Sequence, residues 1–389
     1  HAHGNGDQRF QRAGTDTRTA VTTAGEHEFD LHYVEDTAAT HDESSYFRPV
    51  EDVLDFDGQN RYQQDIAAKS VDLATSLSYR ETADHGDGIF ERMPSPTTIN
   101  RRAREYGNKL KQSLPECIAG EDTETVVADA TKCHSQDQDR SSHSVQATLG
   151  EDTAEGSRTL LDLSVNADWD QTAAHLDDID AVTDDATVVS DADEAIVEAF
   201  TGQDRQHQLD LFHVGQTLGY TLWDDGIYSL DTRKEIVLEV LDELYHLKNS
   251  VAKHRPEGEF AAIRERIVRT RERIEKTAWQ ISQAGSENAA AYLRRWLPSM
   301  VTFAEDALEG FEVPWPSNPV ERLMGEINKR CKNQWMCWTA DGLEAMLQLR
   351  LVKYADPERY RSFLDEVIHR STKTAMSCDL SIESTRGKL

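Results

Sequence analysis

The predicted secondary structure changes along this chain, and the order of the predicted strands and helices constrains the fold more than any single motif does. Closely spaced β-rich runs occupy residues 123–167. They are followed by a helical pattern at 169–179, a short apolar run that leads into a helix within 185–200, and a strand end at 207–214. Three hairpin-linked strands, a helix, a strand, a helix and a strand predict a mixed α/β sheet.

Residues 216–310 then lose their strand character and show two long amphipathic helical patterns. A sheet with this element order is of the ribonuclease H type. We therefore interpret 221–310 as an all-helical insertion that divides a ribonuclease H-like core into a first part at 116–220 and a second part at 311–370. Residues 371–389 follow as a C-terminal tail.

The N-terminal part is predicted to be separate from this core. Residues 1–50 are polar with little periodicity, so we expect them to be partly disordered. Residues 51–115 predict a helix, a turn and a basic helix that begins near a cap at Ser95 or Thr97, with Pro96 in its first turn. This order is typical of a helix-turn-helix DNA-binding domain. An ordinary helical pair with a solvated basic face is the alternative.

The charge of the chain is strongly negative and unevenly distributed. Its net charge of −29 comes from 71 acidic residues against 42 basic ones. We favour a salt-adapted protein over one with ordinary acidic solubility. An acidic chain as a whole repels nucleic acid. Its basic clusters at 96–112, 253–276 and 322–334 are therefore the places where nucleic-acid binding is expected, if it occurs.

The cysteine pattern and the hydropathy predict a soluble cytoplasmic protein. The five cysteines lack CxxC spacing, which argues against a disulfide framework or a zinc ribbon. No stretch is long and apolar enough to predict a membrane span, and no signal peptide is visible.

Three carboxylates stand where a predicted strand ends or a predicted helix begins. Asp129 ends the apolar run VVAD, and Asp191 ends TVVSD just before a helix. As a structural alternative, Asp129 is a turn residue and Asp191 forms a capping box with Glu194. Glu321 lies three residues after Asn318, so it too could close a capping box.

The helix that contains Glu321 is amphipathic in a way that places this carboxylate at the rim of the core. A helical wheel puts an apolar stripe on one side and Arg322 and Lys329 on the other, with Glu321 between them. The stripe comprises Val320, Leu323, Met324, Ile327 and Cys331.

Three carboxylates suit phosphodiester cleavage with two divalent metal ions about 3.5–4 Å apart. One ion activates the attacking water or 3′-hydroxyl, and the other stabilises the leaving oxygen. Mg²⁺ prefers oxygen ligands and retains several waters, so few carboxylates suffice to hold it.

With these carboxylates, the chain resembles a known family, the DDE transposases of the Mutator-like group. Its acidic composition is similar to that of haloarchaeal insertion-sequence members. Four stretches carry the resemblance: VVADATK, VVSDADEAIVEAF, HQLDLFHVGQTLGY and NPVERLMGEINKRCKNQWMCW. The resemblance implies that Asp129, Asp191 and Glu321 hold two Mg²⁺ or Mn²⁺ ions and catalyse cleavage and strand transfer. It also implies that Asp210, His213 and Asn318 support them.

The resemblance further implies that the partner is double-stranded DNA, namely terminal inverted repeats and target DNA. It implies a homodimer or higher oligomer, because two DNA ends must be joined. The basic clusters supply the candidate DNA-binding residues: Arg101, Arg102, Arg104, Lys109, Arg322, Lys329, Arg330 and Lys332.

Other interpretations stay open at this point. The chain could be a catalytically inactive DNA-binding regulator with the same fold, or all three carboxylates could be caps and turns that lie far apart. A zinc site drawn from Cys133, His134, His143, His207 or His213 lacks typical ligand spacing. We expect His213 to be a core or supporting histidine near Asp191, and Trp335 and Trp338 to be packing residues.

Overall fold

The computed structural model describes residues 10–37, 46–48, 56–152, 157–202, 205–311, 313–314, 318–331 and 336–369. The chain divides into two compact units. One contains the described residues up to Ala103 and those from Glu358 onward, and the other spans Arg104–Pro357. The predicted mixed α/β class is confirmed.

The first unit contains a small antiparallel sheet. Strand β1, Phe10–Thr22, pairs with strand β2, Gly25–Asp36, and the short strand β3, Tyr46–Phe47, pairs with β2. Gly25 follows the turn between the two long strands with a φ of 122°, a conformation that glycine adopts without a steric penalty.

The structure describes residues 10–36 as paired strands, while the other residues before position 46 lie almost wholly outside the described part of the chain. Partial disorder of residues 1–50 stays a prediction. Most side chains of the hairpin are exposed or half-buried, and only a few, such as Val21 and Leu31, are buried. No regular apolar alternation marks the strands, so the backbone pairing is not visible in the hydropathy pattern.

Three helices follow: two lie where the sequence predicts the helix before the turn, and the third is the predicted basic helix. They are α1, Gln64–Ala74; α2, Tyr79–Gly86; and α3, Pro96–Ile118. The Oγ atom of Ser95 accepts a hydrogen bond from the Thr98 amide at 3.3 Å, so Ser95 caps α3 and Pro96 occupies its first turn. The use of these helices in DNA binding stays a prediction.

The second unit is built on a five-stranded sheet. Its first three strands are hairpin-linked and antiparallel, and its last two run parallel to the first. In sheet order the strands are β6 (Ser157–Val165), β5 (Ser142–Asp152), β4 (Thr123–His134), β7 (Val182–Ser190) and β8 (Gln206–Leu209).

Helices cover the sheet because its central strands are apolar on both faces. Val126 and Ala128 of β4 join a core with the end of α3 and with helices α4, Trp169–Asp178, and α5, Glu194–Phe200. Val127 lies on the other face and is also fully buried. Helix α4 joins β6 to β7, and α5 joins β7 to β8.

Residues 211–309 form four successive helices, as the pattern of 216–310 predicts. These helices are α6 (Leu211–Asp224), α7 (Leu230–His254), α8 (Phe260–Gln283) and α9 (Glu287–Glu309). Then come α10 (Asn318–Cys331), α11 (Ala340–Ala355) and α12 (Pro357–His369). Among the described helices, none combines the length and apolarity needed to cross a membrane.

Helix α9 returns to the sheet and is fixed there by buried polar contacts. The Thr302 hydroxyl donates to the His207 carbonyl at 2.8 Å, and the Phe303 amide donates to Gln208 Oε1 at 2.6 Å. The Thr187 hydroxyl donates to an Asp306 carboxylate oxygen at 2.9 Å. The helical block therefore ends against β7 and β8, beside the edge of the sheet.

Two glycines give opposite predictions for substitution by alanine. A Cβ on Gly107 in α3 would lie 2.1 Å from the Ala345 carbonyl oxygen of α11, whereas one on Gly325 in α10 would meet no atom within 4 Å. We expect Gly107→Ala to lower the free energy of unfolding by about 2 kcal/mol or more, because two helix backbones must separate. Gly325→Ala should raise it by about 0.5–1 kcal/mol.

Urea titration of the two variants measures both effects. An unchanged or higher stability of Gly107→Ala would contradict the close packing of α3 against α11.

Candidate active site

Three aspartates lie at the same end of the sheet because the three neighbouring strands that carry or precede them run parallel. Val127 of β4 pairs with Val189 of β7, and Asp129 and Asp191 each follow two residues later. Ser190 of β7 pairs with Leu209 of β8, so that Asp191 and Asp210 directly follow paired residues. The Asp210 amide also donates to the Ser190 carbonyl at 2.8 Å.

Asp129 does not end its strand, contrary to the sequence prediction. Strand β4 continues to His134 because it remains paired with β5, while its other neighbour, β7, has ended at Ser190. The Asp129 side chain therefore lies beside the gap that β7 leaves. Its Oδ1 accepts a hydrogen bond from the Ala130 amide at 2.7 Å.

The surroundings of Asp129 disfavour its negative charge. The pKa of Asp129 is raised to about 6, mainly by burial; the charges of Asp191 and Glu321 add to the effect, and the Ala130 amide and His213 oppose it. Asp191, Glu321 and His213 therefore each lie close enough to Asp129 to influence its pKa. The alternative in which the three carboxylates lie far apart does not hold.

Asp191 is not the cap of the helix that follows it, so the capping-box interpretation of Asp191 with Glu194 is wrong. Asp193 caps α5 by accepting a hydrogen bond from the Ala195 amide at 2.9 Å. The Asp193 amide in turn donates to Asp191 Oδ1 at 3.1 Å. Asp191 is thus oriented by the turn before the helix, and the helix does not use it as a cap.

The pKa of Asp191 is also raised, mainly by burial, and the negative charges of Asp193 and Asp210 add to the effect. The Asp193 amide and His213 act in the opposite direction. His213 therefore lies near Asp191, where the sequence predicts it.

Asp210 and His213 are placed by the start of α6. Asp210 caps this helix through a 2.7 Å hydrogen bond from the Phe212 amide to its Oδ1, and its side chain is fully buried. His213 lies one turn further on, with Nε2 3.7 Å from Asp210 Oδ2 and 3.3 Å from Glu321 Oε1.

Glu321 reaches this site from α10. The predicted apolar stripe of α10 is buried, with Val320, Leu323 and Ile327 fully inaccessible, while Glu321 is half-buried at its edge. The helix begins at Asn318, the side chain of which lies outside the described residues, so its predicted cap and supporting function stay predictions.

The donor set fits hard divalent cations. Ligand atoms of Asp210, His213 and Glu321 lie within 4.8 Å of one another, and this is the one such group found in the described part of the chain. Asp129 and Asp191 are not part of this group, but both are electrostatically coupled to His213. They offer carboxylate oxygens, the donors that Mg²⁺ and Mn²⁺ prefer. The pKa values of these two aspartates are raised mainly by burial and further by neighbouring carboxylates, and a bound cation would offset both effects.

Two histidines of the zinc site considered from the sequence, His143 and His207, form hydrogen bonds within the fold. His143 is buried and its Nε2 lies 2.9 Å from the Trp338 carbonyl oxygen, while His207 Nε2 lies 3.0 Å from the Ser190 hydroxyl. Burial lowers the pKa of His207 to about 4. Trp338 is buried, as its packing interpretation predicts, whereas Trp335 lies outside the described residues.

One residue near the site is not indicated by any sequence motif. Tyr292 of α9 forms a side-chain hydrogen bond with Thr217 of α6 and lies close enough to Asp191 to feel its charge. Burial is the main reason that the pKa of Tyr292 is raised far above its ordinary value. The sequence shows only an amphipathic helix here, because the fold alone brings α9 to the sheet edge.

The basic candidates on α3 differ in accessibility. Arg101, Arg104 and Lys109 are exposed. Arg102 is buried and its guanidinium lies 2.5 Å from Asp57, so its assignment as a DNA-binding residue is wrong. Helical spacing places it on the inner face of α3, which a count of charges along the sequence does not show.

The basic candidates on α10 differ in the same way. Arg322 and Lys329 are exposed. Arg330 is only 3% exposed and its guanidinium stacks 5.0 Å from the Trp338 ring, so its DNA-binding assignment is also wrong. Lys332 lies outside the described residues.

Comparison with known proteins adds no relative: no family model and no curated protein sequence matches the chain. The assignment of the site therefore depends on its geometry.

Replacing Asp129 by asparagine should stabilise the metal-free protein in a pH-dependent way. Because the folded-state pKa of Asp129 is raised to about 6, its ionised form destabilises the fold above that pH. We expect Asp129→Asn to raise the free energy of unfolding by about 1–2 kcal/mol at pH 7–8. The gain should shrink between pH 6 and 4 and disappear below pH 4, where the aspartate is protonated in both states.

Chemical denaturation in the presence of a chelator measures this difference at each pH. Asp193→Asn is a matched control, because asparagine caps a helix as well as aspartate does and should leave stability nearly unchanged. A loss of stability in Asp129→Asn at pH 7 would show that Asp129 is a structural residue and not a strained, ligand-binding one.

Proposed function

We propose that this protein is a DDE transposase that cuts and joins DNA with the help of divalent cations. The observation that carries the proposal is the convergence of Asp129, Asp191 and Glu321 from a strand, a strand end and a distant helix. The described strands and helices follow the order expected of a ribonuclease H-like core, with the helical block between the second and third carboxylates.

Asp129, Asp191 and Glu321 are the residues that would hold the cations, with Asp210 and His213 close by. Two bound cations would activate the attacking water or 3′-hydroxyl and stabilise the leaving oxygen. Backbone amides orient Asp129 and Asp191 by donating a hydrogen bond to one carboxylate oxygen, Oδ1, of each. The second oxygen of each carboxylate could then bind a cation.

His213 has a supporting function in this proposal. Its ring lies between Asp210, which is fixed as a helix cap, and Glu321, which arrives from α10. An imidazole in this position can hydrogen-bond a carboxylate oxygen and thereby limit the orientations of Glu321, as outer partners of metal ligands do.

Exposed arginine and lysine side chains on two helices support DNA as the partner. Arg101, Arg104 and Lys109 of α3, and Arg322 and Lys329 of α10, remain exposed after the buried arginines are removed from the set. Lys109 and Arg104 already contact Glu105 and Asp341, at 2.8 and 3.2 Å, so DNA phosphates would compete for them. We propose that these residues contact terminal inverted repeats and target DNA, in a homodimer or higher oligomer.

Cleavage of an oligonucleotide duplex that ends in the element's inverted repeat tests the function. With Mg²⁺ or Mn²⁺, we expect the parent to nick the repeat end, and Asp129→Asn, Asp191→Asn and Glu321→Gln each to lose on the order of 10²–10³-fold in rate, because each removes a ligand charge. Asp193→Asn is the matched control and should cleave at the parental rate.

Two outcomes would contradict the proposal. One is cleavage by all three variants at the rate of the control. The other is binding of the repeat by the parent with no cleavage at any concentration of divalent cation, which would favour the inactive regulator.

A further inference from the structure

An aromatic groove lies along α6, the helix that begins after Asp210 and contains His213. It has a volume of about 490 Å³ and is lined by Gly215, Gln216, Gly219, Tyr220, Trp223 and Arg233. All but Arg233 belong to α6; Arg233 is in the first turns of α7. Tyr220 and Trp223 are each 64% exposed, which is unusual for large aromatic side chains.

Glycine shapes the floor of the groove. A Cβ on Gly215 would lie 2.9 Å from Leu241 of α7, and one on Gly219 would lie 3.9 Å from Val237. The two helices therefore approach closely at Gly215. Tyr220 and Trp223 stay exposed beside the glycines, so a flat ring in solution has access to them.

Arg233 gives the groove a cationic side. Its Nε atom is buried and has no hydrogen-bond partner among the described residues. In a chain with a net charge of −29, a guanidinium with an unused donor next to two aromatic rings indicates an anionic ligand that also has a flat face. A nucleotide has both parts.

The groove lies on the helix that also contains His213 of the proposed active site. Tyr220 lies seven residues after His213, on the same face of α6 and about 10 Å along the helix axis. Trp223 lies about 15 Å from His213 by the same measure. Thr217, between them, contacts Tyr292, which is near Asp191.

We propose that this groove binds one unpaired nucleotide of the DNA strand whose phosphate lies at the carboxylates. Its base stacks on Trp223 or Tyr220, and its phosphate pairs with Arg233. This inference depends on the proposed function, because it takes the strand from that reaction. It adds that the protein holds the DNA end in a locally unpaired form.

Binding without cleavage tests the groove separately from the chemistry. The probe is a single-stranded oligonucleotide that contains the fluorescent base 2-aminopurine, titrated in the presence of a chelator. Stacking on an aromatic ring should quench its fluorescence. We expect Trp223→Ala to weaken binding by about tenfold and to remove most of the quenching.

Two further variants sharpen the test. Arg233→Gln should weaken binding and reduce its dependence on salt, because one phosphate contact is lost. Trp279→Ala removes an equally exposed tryptophan from α8, where no groove residue lies, and should bind like the parent. A blunt duplex should bind Trp223→Ala and the parent equally, because its bases are paired.

Equal binding and quenching by Trp223→Ala, Trp279→Ala and the parent would overturn the proposal, even if repeat ends are still cleaved. So would a loss of self-association in Trp223→Ala, measured by sedimentation, with oligonucleotide binding unchanged, because the groove would then hold a second copy of the chain. Normal quenching in a protein that never cleaves would instead leave the groove in place and contradict only the proposed chemistry.

Discussion

The burial of neighbouring carboxylates is the constraint on which the arrangement of the core depends. Asp129, Asp191, Asp210 and Glu321 all lie near the His213 imidazole, and burial, more than mutual repulsion, raises the pKa of Asp129 and Asp191. Such a cluster is unfavourable unless other parts of the fold hold it in place. Strand register fixes the three aspartates, and the buried stripe of α10 fixes the glutamate, so the stability of the fold is used to keep ligand groups together.

The helical block is held against the sheet at its beginning and at its end. Its last helix is bound to the sheet through Thr302, Phe303 and Asp306, and its first helix begins at the Asp210 cap. The block is therefore attached to the sheet at both ends. This attachment explains why Tyr292, which is far from any carboxylate motif in sequence, lies close to Asp191.

Much of the second unit could be predicted from sequence because its signals are local. Apolar runs of strand length, amphipathic helices and a capped, striped helix around Glu321 all depend on nearby residues. The hairpin of residues 10–36 could not be predicted, since its strands are polar and are held by long backbone pairing. Arg102 and Arg330 were misjudged because the partners that bury them, Asp57 and Trp338, depend on the folded chain. The catalytic assignment itself stays a prediction.

The central claim is that carboxylates from β4, the end of β7 and α10 form one divalent-metal site. Counting bound Mn²⁺ by electron paramagnetic resonance tests it most directly, because free and bound ions are distinguished without any DNA. The parent should bind two ions per chain, and Asp129→Asn and Glu321→Gln should each bind fewer, while Asp193→Asn binds two. The same number of ions in all four proteins, or none in the parent, would contradict the account.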